Sequence, residues 1–273
     1  MTTLDQAPAI GGARHDVLSG DRTTFGDRWI YVFTAASFVV FVLVGFVPDS
    51  LKQAGAVEAG QRPPFPMVLH LHAALMGGYL LLLLAQVSLV ATKRFAEHRL
   101  LGMAGVLLAA ALVAVGFLLI PTIYHQVFAG AQAAPPPVRA QLAGVLVFIE
   151  NIMLLQLRVG ILFSILVILG VGALRTDLGF HKRMMILSIA TALSAAFDRV
   201  TWLPSTLPGS PLSSDLYVLA AVAPMVLWDV VRNRRVHRAY WVWLAVVAPF
   251  TIAVHLLWDT PFWHATAKQI MGV

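Results

Sequence analysis

Seven apolar segments, at residues 29–47, 67–91, 101–121, 142–174, 184–203, 213–231 and 240–258, constrain this chain more than any other feature. Crossing about 30 Å of hydrocarbon at about 1.5 Å per residue takes about 20 residues, and each segment has roughly that length. Lipid offers no partner for backbone N–H and C=O groups, so such segments must be helical. The expectation is an all-α fold, a polytopic transmembrane helix bundle of about seven helices. The fourth segment is overlong and must tilt or project past the bilayer. Residues 49–66, 122–141 and 204–212 carry clustered prolines and read as loops. Three regions follow: a disordered cytoplasmic tail at 1–28, the seven-helix domain at 29–258, and a short external tail at 259–273.

Charge supports that reading. Only 12% of residues are charged, about half the share of an ordinary soluble domain, so the lipid bilayer is the first partner. A net charge of +6 raises the question of nucleic acid. The basic residues answer it, because they sit in short clusters between apolar runs and not on one face. Thirteen Lys and Arg fall on one side of the seven spans and five on the other. That asymmetry predicts a bacterial inner (plasma) membrane protein with a cytoplasmic N-terminus and an external C-terminus. The seven tryptophans fall at or just beyond segment ends, as an aromatic belt requires. The chain has no cysteine, which excludes disulfides and thiolate metal ligation. It carries no phosphate-loop, G-x-G-x-x-G, HExxH or G-x-S-x-G pattern, and no enzymatic reaction is assigned.

Polar residues inside apolar spans carry the functional reading, since each is expensive there. Arg158 lies in the middle of the fourth segment, with Asn151 seven residues earlier and Glu150 beside it. Arginine does not give up its proton, so it needs a carboxylate, carbonyls or water. Glu150 and Asp198 are the expected carboxylates. Arg158 is either an anchor for an anion or polar ligand, or one half of a structural ion pair. In the second segment His72, Met76, Tyr79, Leu83 and Gln86 share one helix face. His70, His72, His125 and His255 all fall near the external side. Neutral imidazole is the commonest metal ligand, and two imidazoles from different helices hold a haem iron axially. His72 with His255 is the expected pair, with His70 and His125 in reserve, for haem b or a metal ion. His98-Arg99, His181-Lys182 and His237-Arg238 precede helices on the basic side and read as headgroup anchors.

The run His70-Leu71-His72-Ala73-Ala74, then Gln86, then His98-Arg99-Leu100-Leu101-Gly102, and His181-Lys182-Arg183-Met184-Met185 resemble a group of bacterial multi-pass membrane proteins of unknown function. The likeness covers the second to fifth helices. That group is distantly similar to b-type membrane cytochromes and respiratory-oxidase assembly proteins, which implies a redox-associated role. Three readings stand at this point. One is a redox protein with a haem or metal at external histidines. Another is a small-molecule or proton-coupled transporter built on Arg158. The last is a non-catalytic partner subunit or assembly factor of another membrane protein.

Overall fold

The computed structural model describes Asp16, Leu18 and residues 23–273. Every regular element among them is helical. In chain order these are α1 (Phe25–Glu58), α2 (Met67–Ala91), α3 (Phe95–Ala133), α4 (Pro136–Gly172), α5 (Leu178–Ala190), α6 (Ser194–Phe197), α7 (Leu212–Asn233), α8 (Arg238–Leu257) and α9 (Pro261–Met271). The helices α1, α2, α3, α4, α7 and α8 are long and apolar enough to cross a membrane. The protein is therefore a multi-pass membrane protein. Leu43, Leu107, Leu118, Leu227 and Val231 lie on the outside of the bundle, where lipid is their solvent.

The remaining expected span, 184–203, is built differently. It is α5 and α6 joined by a 3-10 turn, Thr191–Leu193. Met184, Ile186, Leu187, Ile189 and Ala190 are buried completely or nearly so. This segment packs against α4, α8, α7 and α1 and forms the centre of the bundle. Three hydroxyls give the interruption a local cause. Thr191 donates to the Ser188 carbonyl at 2.7 Å, Ser188 to the Met185 carbonyl at 2.9 Å, and Ser194 to the Thr191 carbonyl at 3.5 Å. Such side chains compete with the helical ladder and tighten it.

Gly45 sets how closely α1 approaches this segment. A Cβ there would overlap the Ala196 carbonyl, and backbone cannot move aside as a side chain tip can. Gly45→Ala is expected to destabilise the protein by about 1–3 kcal/mol. Thermal unfolding in detergent checks this; an unchanged midpoint would mean that α1 and α6 are not held at this distance.

Several boundaries differ from the sequence reading. The expected loop at 49–66 is helical to Glu58, and that at 122–141 is helical to Ala133. Pro48 and Pro121 lie inside α1 and α3 without ending them. Pro136 and Pro137 open α4, in the first turn, where the missing N–H has no intrahelical partner anyway. The segment after residue 258 is helix α9, packed on α4 and α3, with Trp263 and Ala267 buried. The disordered tail expected over 1–28 falls largely outside the described residues. Within it, α1 already begins at Phe25, because Thr24 and Asp27 form a reciprocal capping box. Asp16 and Leu18 lie against the bundle.

Candidate functional site

Two polar clusters stand in the bundle, one towards each end. The first is centred on Arg158. Its guanidinium meets Asp215 with two donors, Nη2 to Oδ1 at 2.7 Å and Nη1 to Oδ2 at 3.1 Å. Thr251 Oγ1 lies 3.5 Å from Nη1. His255 Nε2 reaches Asp215 Oδ2 at 3.0 Å. One carboxylate thus joins α4, α7 and α8. Arg158 is 5% exposed, whereas the Asp215 and His255 side chains keep 17% and 31%. The buried cation is therefore held by partners that keep some exposed surface. Beside them, at the end of the interrupted segment, Asp198 accepts a hydrogen bond from Ser214.

A second layer lies about 12 Å further along α4, eight residues from Arg158 at about 1.5 Å each. Fully buried Glu150 accepts from Tyr124 OH at 3.1 Å and pairs with His264 Nδ1 at 2.7 Å. Its backbone carbonyl accepts from Trp263 Nε1 at 2.7 Å. Asn151 donates to Asp259 Oδ1 at 3.1 Å and accepts from the Asp259 N–H at 3.0 Å. Asn151, and then His264, hold the Asp259 carboxyl below its ordinary range. The layer pins α9 over α4 above the Arg158 cluster.

The other end of the bundle carries Arg183. It is buried completely and has all five guanidinium N–H groups matched. Asp229 takes Nε at 2.5 Å and Nη2 at 2.8 Å; Asp16 takes Nη1 at 2.9 Å and Nη2 at 3.2 Å; the Gly179 carbonyl takes Nη1 at 2.7 Å. Tyr240 OH donates to Asp229 at 2.7 Å. Next to this cluster His237 caps α8, its Nδ1 accepting from the Ala239 N–H at 3.1 Å, which requires a neutral ring at that nitrogen. Burial, and then the charge of Arg183, push the His237 pKa down from 6.5 to about 4. The unfolded ring takes its proton near 6.5 and the folded one near 4, so the unfolded state binds more protons between these values. Stability is therefore lost as pH falls through that window. The unfolding midpoint should drop from pH 6.5 to 4, and the drop should shrink in His237→Asn, which keeps a capping oxygen. An equal drop in both proteins would assign it to other groups.

Arg158, Glu150 and Asn151 are buried and hydrogen-bonded. Arg158 has the carboxylate it needs, but the partner is Asp215; Glu150 lies in the outer layer and Asp198 pairs with Ser214. Gln86 is half-buried, with its Nε2 end near Gly102. The four histidines do not converge. His72 lies against Gly116 on the seam of α2 and α3, whereas His255 is held by Asp215 on α7. α2 packs on α1 and α3, while α8 packs on α4 and α5. His70 is exposed, edge-on to Phe65 at 6.2 Å, and His125 is exposed beside Tyr124. Among the described residues, no three or more His, Asp or Glu side chains are grouped to hold a metal ion. Arg183, which follows the expected anchor pair His181-Lys182 and was counted only among the basic residues of that turn, is the most enclosed cation among the described residues.

Asp215, Asp229 and Arg183 are the functional candidates that sequence reasoning missed. Asp215 and Asp229 both fall within the apolar segment 213–231, and acids inside a span were the signal. No protein-family model, curated protein or solved structure matches the chain.

Proposed function

We propose that this protein is a proton-coupled transporter of small organic anions, with its substrate site at Arg158, Asp215 and His255. The single observation that carries the reading is the sharing of Asp215. The same carboxylate that neutralises a buried arginine also contacts an imidazole that remains partly exposed. A proton delivered through His255 to Asp215 would weaken its hold on Arg158. The arginine fork, which suits any carboxylate, would then accept the substrate's. Release of the substrate returns Arg158 to Asp215 and the proton to His255.

The interrupted central segment supports the same reading. Broken helices in the membrane are tolerated where they are buried in protein or line a pathway. This one runs from the Arg183 cluster to Asp198, beside the Arg158 cluster. Two charge networks at opposite ends suit an inner and an outer closure. The positive-inside bias supports insertion in a bacterial inner membrane with the Arg183 end cytoplasmic. Purified protein in liposomes containing a pH-sensitive dye tests the function. Addition of monocarboxylates, dicarboxylates and amino acids in turn should produce proton movement with at least one class. Arg158→Leu should reduce that signal to the background of empty liposomes, which measures the unaided entry of neutral acids. Silence across the panel from correctly folded protein would count against transport.

A further inference from the structure

Asp198 is a carboxylate of the bundle without a cation of its own. Among the described residues its side chain has one hydrogen-bond partner, the Ser214 hydroxyl, which meets Oδ1 and leaves Oδ2 unbonded. Arg199, the next residue, is committed elsewhere: it pairs with Asp49 at 3.3 Å and donates to the Ala195 carbonyl. Asp198 is half-buried and Ser214 is buried completely. A carboxylate in such a place is expensive unless an opposite charge meets it. Asp198 also caps the end of α6, where helix carbonyls favour a cation over an anion.

The Arg158 cluster lies next to that charge. Ser214 and Asp215 are consecutive residues in the first turn of α7, with Cα atoms about 3.8 Å apart. One holds the Asp198 carboxylate and the other the Arg158 guanidinium. Asp198 lies within electrostatic range of both Arg158 and Asp215. The geometry points to an ammonium subsite at Asp198 and Ser214, so that the carboxylate taken by Arg158 is that of an amino acid. The subsite rests on the transport reading of Arg158 and narrows its substrate. Ser214 gives its one proton to Asp198 and keeps lone pairs for an ammonium N–H, while Oδ2 accepts another. In the loaded site every charge is matched: the proton from His255 sits on Asp215, the substrate carboxylate on Arg158 and its ammonium on Asp198. A plain monocarboxylate leaves Asp198 unmatched, and a dicarboxylate sets a second negative charge against it.

Calorimetry on the purified protein in nanodiscs tests the subsite. Alanine, leucine and phenylalanine are compared with propionate, 4-methylpentanoate and 3-phenylpropionate, which keep the carboxylate and lack the ammonium. At least one amino acid should bind about tenfold or more tighter than its deaminated partner, the difference made by a hydrogen bond between charged groups. Asp198→Asn keeps an acceptor for Ser214, and circular dichroism checks that it folds. It should abolish the preference by weakening the amino acid and leaving the deaminated acid unchanged. Selective amino-acid binding without proton movement in liposomes would keep the subsite and end the transport reading. Equal binding within each pair would overturn the subsite and leave transport of simple anions standing. So would a deaminated acid that reaches the affinity of its amino acid once sodium replaces choline in the buffer, since the cation at Asp198 is then inorganic. No binding by any of the six would overturn the subsite, whatever other anions do in the liposome assay.

Discussion

Arg183→Met is expected to be the most damaging single substitution in this protein. It removes five hydrogen bonds from a fully buried site and strands Asp229 beside Tyr240 without its cation. Breaking a buried ion pair from one side costs about 3–5 kcal/mol. For a chain of this size the unfolding midpoint should fall by roughly 10 °C or more, followed by tryptophan fluorescence in detergent. The companion is Arg183→Met with Asp229→Leu, which removes both charges. Replacing a buried pair by apolar groups is often close to neutral, so the double variant should regain much of the loss. A double variant as unstable as the single one would show that the packing around the pair matters more than the stranded charge.

Arg158→Leu should act on function more than on fold. Its carboxylate partner keeps 17% exposure and its imidazole neighbour 31%, so what is left behind is less enclosed than Asp229. The loss in stability should accordingly be smaller than at Arg183. The loss in substrate affinity should be large. Two hydrogen bonds from a charged donor at about 1.5 kcal/mol or more each correspond to about 100-fold in apparent affinity. Arg158→Lys should not rescue it, because an ammonium keeps the charge without the planar fork. Asp215→Asn separates the roles further. It keeps the shape of the site, yet it cannot carry a proton and release it, so any remaining transport should lose its dependence on the pH gradient. Full activity in Arg158→Lys, or unchanged coupling in Asp215→Asn, would remove these residues from the mechanism.

The contrast between the two arginines shows what the sequence made legible. Apolar segment length is a local property, and it located the six long helices, with both ends of α2, α7 and α8 placed to within two residues. Helix extension past the bilayer was not visible in it, because α1 and α3 continue through residues such as Ala, Gln and Val that are compatible with either helix or loop once lipid no longer demands one. Arg158 stood out because it is flanked by apolar residues on both sides. Arg183 follows His181 and Lys182, at what reads as a cytoplasmic turn, and its burial comes from Asp229 in α7 and Asp16 before α1. Nothing within its own stretch of sequence records those neighbours. The same holds for Asp215: an acid three residues into α7 is ordinary as a helix-start residue, and only the packing of α4 and α8 around α7 makes it a partner for Arg158 and His255. Histidines failed in the opposite direction. Their place near one side of the spans was expected from the segment boundaries, but ligation needs adjacency, and α2 and α8 pack on different neighbours.

The most direct measurement of the central claim is substrate-driven proton movement in liposomes containing the purified protein, read with a pH-sensitive dye under an imposed pH gradient. Proton entry is expected on addition of a small organic anion, and it should be absent in both Arg158→Leu and Asp215→Asn. Proton movement that persists undiminished in Arg158→Leu, or a folded wild-type protein that moves no protons with any carboxylate offered, would contradict it.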